Sequence, residues 1–312
     1  MNRQFTILTC MMFIVSLSTL AQNQYHMSQF MLHQPFINPA AQGSYSNLNG
    51  ALFYKTQWTN FVGAPEIAGF NINTPLGKTQ KNAIGLTLVK DKVGVNNNYD
   101  VSGNYSYHVK TGEKSFLSLG LGASIMMMQS NLGNVHTIMT DDPVFSGNTR
   151  VFFMPNFKLG AYYFADKFYV GLATPNLLKN RITFGSELES STEFDSKNIH
   201  LYFHSGYQFL INETVDLMTS VLVKHVSGAP IQFGLNAQAV YKKKIGAGGA
   251  FRSSQEISLL LNYQLVPELK LGYAYDLNFG IIGNYSTGTH EVMLIYNLVS
   301  DKKIPIIEVP RF

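Results

Sequence analysis

Residues 256–276 read EISLLLNYQLVPELKLGYAYD and carry the clearest structural signal in the chain. Apolar side chains recur at every second position from Ile257 to Leu265, and polar side chains such as Ser258 stand between most of them. Successive side chains of a β-strand point to opposite faces, so one face of this strand is apolar and the other polar. After Pro267 the alternation resumes and predicts a second strand.

The same alternation recurs after residue 47 and predicts about fourteen antiparallel strands. Most runs have about ten residues, the length that a tilted strand needs to cross a bilayer. Every second connection is short, whereas the intervening ones include all the long ones, as in transmembrane barrels with short periplasmic turns and longer outer loops. The predicted strands are 48–57, 65–74, 82–91, 98–109, 115–128, 153–164, 167–173, 198–209, 213–224, 230–241, 244–252, 255–265, 267–276 and 288–298.

The composition is typical of a barrel in lipid. Charged residues make up 13% of the 312 residues and aromatic residues another 13%, whereas ordinary soluble domains carry about 25% charged residues. We therefore predict an all-β fold, a transmembrane antiparallel barrel in the bacterial outer membrane, over residues 48–298. Closure removes the strand edges that lipid cannot hydrate. A soluble β-sandwich or β-propeller is the alternative fold. Neither fold explains why nearly every strand has an apolar face that a barrel would turn to the lipid.

The N-terminus predicts delivery to the cell envelope. Arg3 supplies a positive start, residues 5–20 form a nearly uninterrupted apolar core, and Ala21 is a small residue of the kind that signal peptidase requires. We predict that residues 1–21 are a cleaved signal peptide. Cleavage would remove Cys10, the only cysteine of the chain, and would exclude disulfides and cysteine metal sites from the mature protein.

No pattern in the sequence specifies catalysis or a metal site. His200 and His204 share a predicted strand, where a separation of four residues spans about 13 Å, too far to share one ion. No Gly-x-Ser-x-Gly turn or comparable signature marks a nucleophile. The net charge of +4 is spread along the chain, without the basic face that nucleic-acid binding requires. We predict a protein that is not an enzyme and uses no cofactor, metal or nucleic acid.

The lumen of a barrel with about fourteen strands is wider than side chains alone can fill. Water, an inserted loop or the N-terminal segment are the candidate occupants. We favour the segment 22–47, because it lacks strand alternation and is rich in Gln, Asn, Phe and Pro. The predicted inner face carries many glycines, which leave further volume: Gly120, Gly122, Gly234, Gly246 and Gly248. The residues predicted to lie in the lumen are Phe30, Phe36, Asn38 and Pro39.

Five motifs follow one another along the chain. They are YHMSQFMLHQPFINPA at 25–40, KTQWTNFVGAP at 55–65, GAYYFADKFYVG at 160–171, GYAYD at 272–276 and GTHEV at 288–292. Together they resemble the PorP/SprF family of Bacteroidetes outer-membrane proteins over essentially the whole mature chain. Two features depart from the family pattern: Lys55 stands in the place of an arginine, and His33 and Gln34 stand where an asparagine is usual.

The resemblance implies a non-enzymatic role in the type IX secretion system. It implies binding or anchoring of a secreted cell-surface protein, including gliding or adhesin-type cargo, through that protein's C-terminal sorting domain. The further expected partners are other secretion or gliding components and the lipid bilayer. Residues 299–312 are expected to form a periplasmic tail. The alternative function is a passive diffusion channel for small solutes. The candidate partner-binding residues are Trp58, Phe61, Asp141, Asp142 and Phe145.

These partner-binding candidates have other readings that the sequence leaves open. Trp58 and Phe61 are large rings near the first outer loop, and such rings bury much area at a low entropy cost. A place in the aromatic girdle at the lipid interface explains them equally well. Asp141 and Asp142 lack the carboxylate series of a calcium loop and also fit ordinary solvated loop acids.

Overall fold

The computed structural model describes residues 26–45, 47–77, 79–134, 147–183, 189–195, 199–227 and 229–298. Several predictions lie outside these residues: the signal peptide at 1–21, the tail at 299–312, and the loop residues Asp141, Asp142 and Phe145. Within the described ranges, no helix combines the length and the apolar character that a membrane span requires.

Fourteen strands form one closed antiparallel barrel, which confirms the predicted fold. The first and last strands pair with each other, with Ala51 opposite Ile295, and this pairing closes the sheet. The observed ends lie within three residues of the predicted ones. The barrel strands are β1 (Asn49–Thr56), β2 (Glu66–Leu76), β3 (Asn82–Val93), β4 (Asn96–Gly112), β5 (Ser115–Ser130), β6 (Phe152–Ala165), β7 (Phe168–Thr174), β10 (His200–Leu210), β11 (Val215–Val226), β12 (Gln232–Tyr241), β13 (Ile245–Arg252), β14 (Glu256–Val266), β15 (Leu269–Asn278) and β16 (Thr289–Asn297).

A separate two-stranded sheet in the long connection after β7 was not predicted. It consists of β8 (Lys179–Thr183) and β9 (Glu189–Glu193), which pair only with each other. Each strand has five residues, and the sequence of β9, ESSTE, has no apolar side chain. Without a buried face there is no alternation of apolar and polar residues for a sequence pattern to detect.

The two faces of the barrel strands differ as the alternation predicts. In β14, Ile257 and Leu259 are more than half exposed on the outer face, at 52% and 53%, whereas Ser258 on the inner face is 1% exposed. The inner face is nevertheless less polar than expected, because it also buries large apolar side chains such as Leu260 and Met293. The interior is therefore a mixed core rather than a purely polar channel wall.

The two ends of the barrel have connections of very different length. At one end, here the short-turn end, every connection has five residues or fewer. The opposite, long-loop end carries loop L1 (57–65), loop L3 (131–151), the connection 175–199 and loop L7 (279–288), together with the two-residue loop L2 (94–95). Because the long loops of outer-membrane barrels face the exterior, the long-loop end is the outer one.

Candidate functional site: the filled lumen and the long-loop end

Residues 26–45, here called the lumen segment, lie inside the barrel. Every residue from Met27 to Ser44 is buried. The segment contains three short 3₁₀ helices, and two of them have a proline in the first turn. Proline is tolerated there because N–H groups of the first turn have no hydrogen-bond partner within the helix. The helices are Phe30–Leu32, Gln34–Phe36 and Pro39–Ala41.

The lumen segment runs from the long-loop end to the short-turn end. Near its start, the backbone N–H of Ser28 donates to Glu291 at 2.7 Å, close to the outer end of β16. Further along, the hydroxyl of Ser118, near the short-turn end of β5, donates to the carbonyl of Ala40 at 2.6 Å. The chain then turns and enters β1 from the short-turn end. The segment thus occupies the lumen along most of its height.

A buried charge cluster holds the outer part of the lumen segment. The Lys55 ammonium lies 3.2 Å from Asp276 and 3.6 Å from Glu291, and all three side chains are at most 1% exposed. The same ammonium donates to the hydroxyl of Ser28 at 2.7 Å, and this hydroxyl donates to Asp276 at 2.6 Å. Arg252 completes the cluster, with a nitrogen 3.3 Å from Asp276.

This cluster draws one residue from each of four sequence motifs and was not predicted from the sequence. Ser28, Lys55, Asp276 and Glu291 belong to four different motifs, and the fold brings them together from positions up to 263 residues apart. The signal available in the sequence was the placement of charged residues at inner-face positions near the outer ends of strands. Such charges are stable there only when they are paired. Each of these four motifs therefore supplies one residue that anchors the lumen segment.

The side chain of Asn38 fastens the inner part of the lumen segment to the opposite wall. Its amide nitrogen donates to the carbonyls of Ala161 and Leu172, at 3.1 and 3.3 Å, and lies 3.0 Å from a ring nitrogen of His204. Its amide oxygen accepts the N–H of Ala40 at 2.9 Å and caps the third 3₁₀ helix. One side chain thereby joins β6, β7 and β10.

Inner-face glycines make room for the lumen segment at several points. A Cβ atom added to Gly120 would overlap the backbone of Pro39 and Ala40, and one added to Gly160 would overlap the side chain of Asn38. Similar overlaps with the segment occur at Gly85 and Gly272. For the other predicted lumen glycines, the atoms nearest to an added Cβ belong to barrel strands: Gly122, Gly234, Gly246 and Gly248. Of the predicted glycines, Gly120 is the one whose added Cβ would overlap the lumen segment.

The four residues predicted to lie in the lumen are all buried there. Phe30 and Phe36 join the apolar core inside the barrel, and the ring of Phe36 lies 5.0 Å from that of Phe53 in an edge-to-face arrangement. Asn38 and Pro39 form the contacts with the barrel wall described above. Within the described ranges, no group of three or more His, Cys, Asp or Glu residues is suited to hold a metal ion.

Loops L1 and L7 pair with each other above the lumen. The N–H of Thr59 donates to the carbonyl of Gly288 at 2.8 Å, and the N–H of Thr287 donates to the carbonyl of Thr59 at 3.0 Å. Apolar side chains on these loops are exposed, with Val62 at 95% and Ile281 at 84%. We call this surface the L1–L7 platform; it comprises Phe61, Val62, Phe279, Ile281 and Tyr285.

The predicted partner-binding residues Trp58 and Phe61 lie in L1 and not on a barrel strand. Phe61 is 41% exposed, whereas Trp58 is partly buried and its ring nitrogen has no hydrogen-bond partner among the described residues. Trp58 and Asn60 adopt positive φ angles of 46° and 73°. A bulky residue such as tryptophan seldom adopts this left-handed conformation.

A closed barrel with an apolar outer face and two unequal ends defines an integral outer-membrane β-barrel protein. The chain belongs to the family described as type IX secretion system membrane protein PorP/SprF, whose model matches residues 19–296. It is therefore a component of the type IX secretion system in the outer membrane. No curated protein matches the chain.

Several solved structures are similar to this chain at low sequence identity. Omp33 of Acinetobacter baumannii is 10% identical with a TM-score of 0.47, and the match covers 82% of this chain and 100% of that one. The CymD monoaromatic hydrocarbon channel is 10% identical with a TM-score of 0.49, covering 90% and 96%. The P. putida toluene transporter TodX is 9% identical with a TM-score of 0.47, covering 88% and 95%.

Proposed function

We propose that this chain binds or anchors a secreted cell-surface protein, gliding or adhesin-type cargo included, through the C-terminal sorting domain of that protein. The observation that carries the proposal is the contrast between a lumen filled by the chain's own lumen segment and an outer surface with exposed apolar loops. A filled lumen suits a docking platform better than a conduit. The proposed role is non-enzymatic.

The L1–L7 platform is the proposed contact surface for the sorting domain. Exposed apolar side chains at the outer end have no lipid to cover them, and such side chains are enriched at sites of protein association. Large anchors at the centre of an interface carry most of the binding energy. In this proposal Trp58 and Phe61 contact the sorting domain, together with Val62 next to Phe61. Other secretion or gliding components are proposed to contact the short-turn end.

A binding measurement tests the platform. We expect the double variant Val62→Ser/Ile281→Ser to bind the isolated sorting domain at least about tenfold more weakly than the native barrel, since two anchors of about 1 kcal/mol each are lost. Co-purification from detergent-solubilised outer membrane and equilibrium binding of the purified domain provide the readouts. Ile211→Ser is the matched control, because Ile211 is 59% exposed at the short-turn end. Equal binding by the double variant and the control would contradict the proposal.

A passive diffusion channel is the alternative function, and the filled lumen disfavours it. Reconstitution of the purified barrel in a planar bilayer separates the two functions. We expect no steady conductance, because the backbone and side chains of the lumen segment are bonded to the wall on several sides. A large and steady conductance of the native protein would favour the channel. A folded variant without residues 26–45 is the positive control. It should conduct, and its conductance would show that the assay detects an open lumen.

A further inference from the structure

A cavity of about 560 Å³ opens at the long-loop end of the barrel. Its walls come from L1, from L2 and the adjoining ends of β2 to β4, and from Asn131, the first residue of L3. Small-molecule sites in proteins commonly measure about 300–1,000 Å³, so this cavity is of a suitable size for a ligand. The cavity shares Phe61 with the L1–L7 platform, but its other described wall residues belong neither to that platform nor to the lumen segment.

Several polar side chains in the cavity wall have no partner among the residues that the structure describes. The side-chain amides of Gln57, Asn97 and Asn131 form no hydrogen bond within the part of the chain that the structure describes. The hydroxyl of Thr59 is buried and also lacks a partner among those residues. The three amides are partly exposed and face the cavity with free donors and acceptors. Buried polar groups in native proteins are nearly always paired, so the buried Thr59 hydroxyl in particular indicates a ligand that supplies the missing partner.

The charge and shape of the wall define the class of ligand. Two of the described wall residues are charged, Glu66 and Lys92. They lie 3.7 Å apart and neutralise each other, so the described part of the wall offers no excess charge for an ion. Amides donate and accept hydrogen bonds, and so do the hydroxyl groups of a sugar. The half-exposed ring of Phe61 offers an apolar surface for the C–H face of a sugar ring.

We propose that this cavity binds a neutral saccharide. The left-handed backbone of Trp58 and Asn60, on either side of Thr59, supports the assignment, because such strain is concentrated at ligand sites. A peptide added as an extra strand is disfavoured, since the closed barrel leaves no free strand edge for it. The saccharide has two possible sources at the outer surface: lipid-linked polysaccharide of the membrane, or glycans on a secreted protein.

The single tryptophan of the chain, Trp58, stands between two cavity residues, so its fluorescence reports directly on the site. The full barrel in detergent is titrated with three probes. They are delipidated polysaccharide from the source bacterium's outer membrane, oligosaccharides released from its secreted proteins, and a neutral extended peptide. We expect a saturable change with one of the two saccharide probes, and the probe that binds identifies the source.

Matched variants connect the fluorescence change to the cavity. We expect Gln57→Ala/Asn97→Ala to weaken saccharide binding about tenfold or more, because hydrogen bonds from two side chains are lost. Asn284→Ala removes an exposed amide on L7 outside the cavity and should change the affinity less than about twofold. Heat-dependent gel migration verifies that each variant is a folded barrel.

The proposal is overturned if neither saccharide gives a saturable change, if only the peptide binds, or if the double variant binds like the control. Its failure would leave the binding of the sorting domain to the L1–L7 platform untouched.

Discussion

Two irregular stretches flank strand β1, and they lie in opposite environments. The lumen segment precedes β1 and is buried from Met27 to Ser44, whereas L1 follows β1 and exposes 95% of Val62. Both stretches lack strands, and both belong to motifs that define the family resemblance. The comparison shows that position relative to the barrel wall, rather than local sequence character, separates a structural role from a surface role.

The physical basis of this difference is the supply of hydrogen-bond partners. Inside the lumen, a polar group that loses its partner keeps the full cost of desolvation, so each contact of the lumen segment bears on the stability of the barrel. At solvent-exposed positions of the long-loop end, water replaces a partner that is lost. Changes to L1 should therefore affect binding with little effect on stability.

Replacing Lys55 should cost the most stability. Lys55→Met leaves the buried carboxylates of Asp276 and Glu291 without their shared ammonium, and breaking a buried ion pair in this way costs about 3–5 kcal/mol. Urea-induced unfolding of the barrel in lipid vesicles measures the loss. Lys92→Met is the matched control, since its pair with Glu66 is about half exposed and should contribute about 0–1 kcal/mol. Similar losses for the two variants would show that the lumen cluster does not anchor the segment.

Adding a methyl group at Gly120 should have an intermediate effect. Gly120→Ala places a Cβ atom against the backbone of Pro39 and Ala40, which cannot move aside as a flexible side chain can. We expect a loss of about 1–3 kcal/mol in the free energy of unfolding, the usual cost of overpacking. Gly103→Ala is the control on the neighbouring strand, because no atom lies within 4 Å of its added Cβ. A loss confined to Gly103→Ala, or equal in both variants, would contradict the close packing of the lumen segment.

Changes on the L1–L7 platform should have the smallest effect on stability. For Val62→Ser/Ile281→Ser we expect the free energy of unfolding to stay within about 0.5 kcal/mol of the native value per substitution, because both side chains are almost fully exposed. The binding of the sorting domain should fall in the same preparation. A large loss of stability would show that the platform packs against the barrel and is not a free surface.

Much of the barrel was predictable from local patterns. The strands from β1 to β16 were located within a few residues, except for the β8–β9 hairpin, because alternating side chains on a half-buried strand reveal both its extent and its faces. The interior was less predictable. The pattern of the N-terminal segment predicted Asn38 and Pro39 as lumen residues. The anchoring role of Asp276 and Glu291 was not predictable, since a charge on a strand does not reveal its partner.

The number of barrel strands, their inner and outer faces and the unequal lengths of the loops at the two ends can be deduced from the amino-acid sequence alone. These features follow from the period of two along a strand and from the length needed to cross a bilayer. The occupant of the lumen and the contacts that hold it there depend on the tertiary structure. Closure of the barrel joins Ser28 to Glu291 across 263 positions, and contacts of that separation depend on the whole sheet.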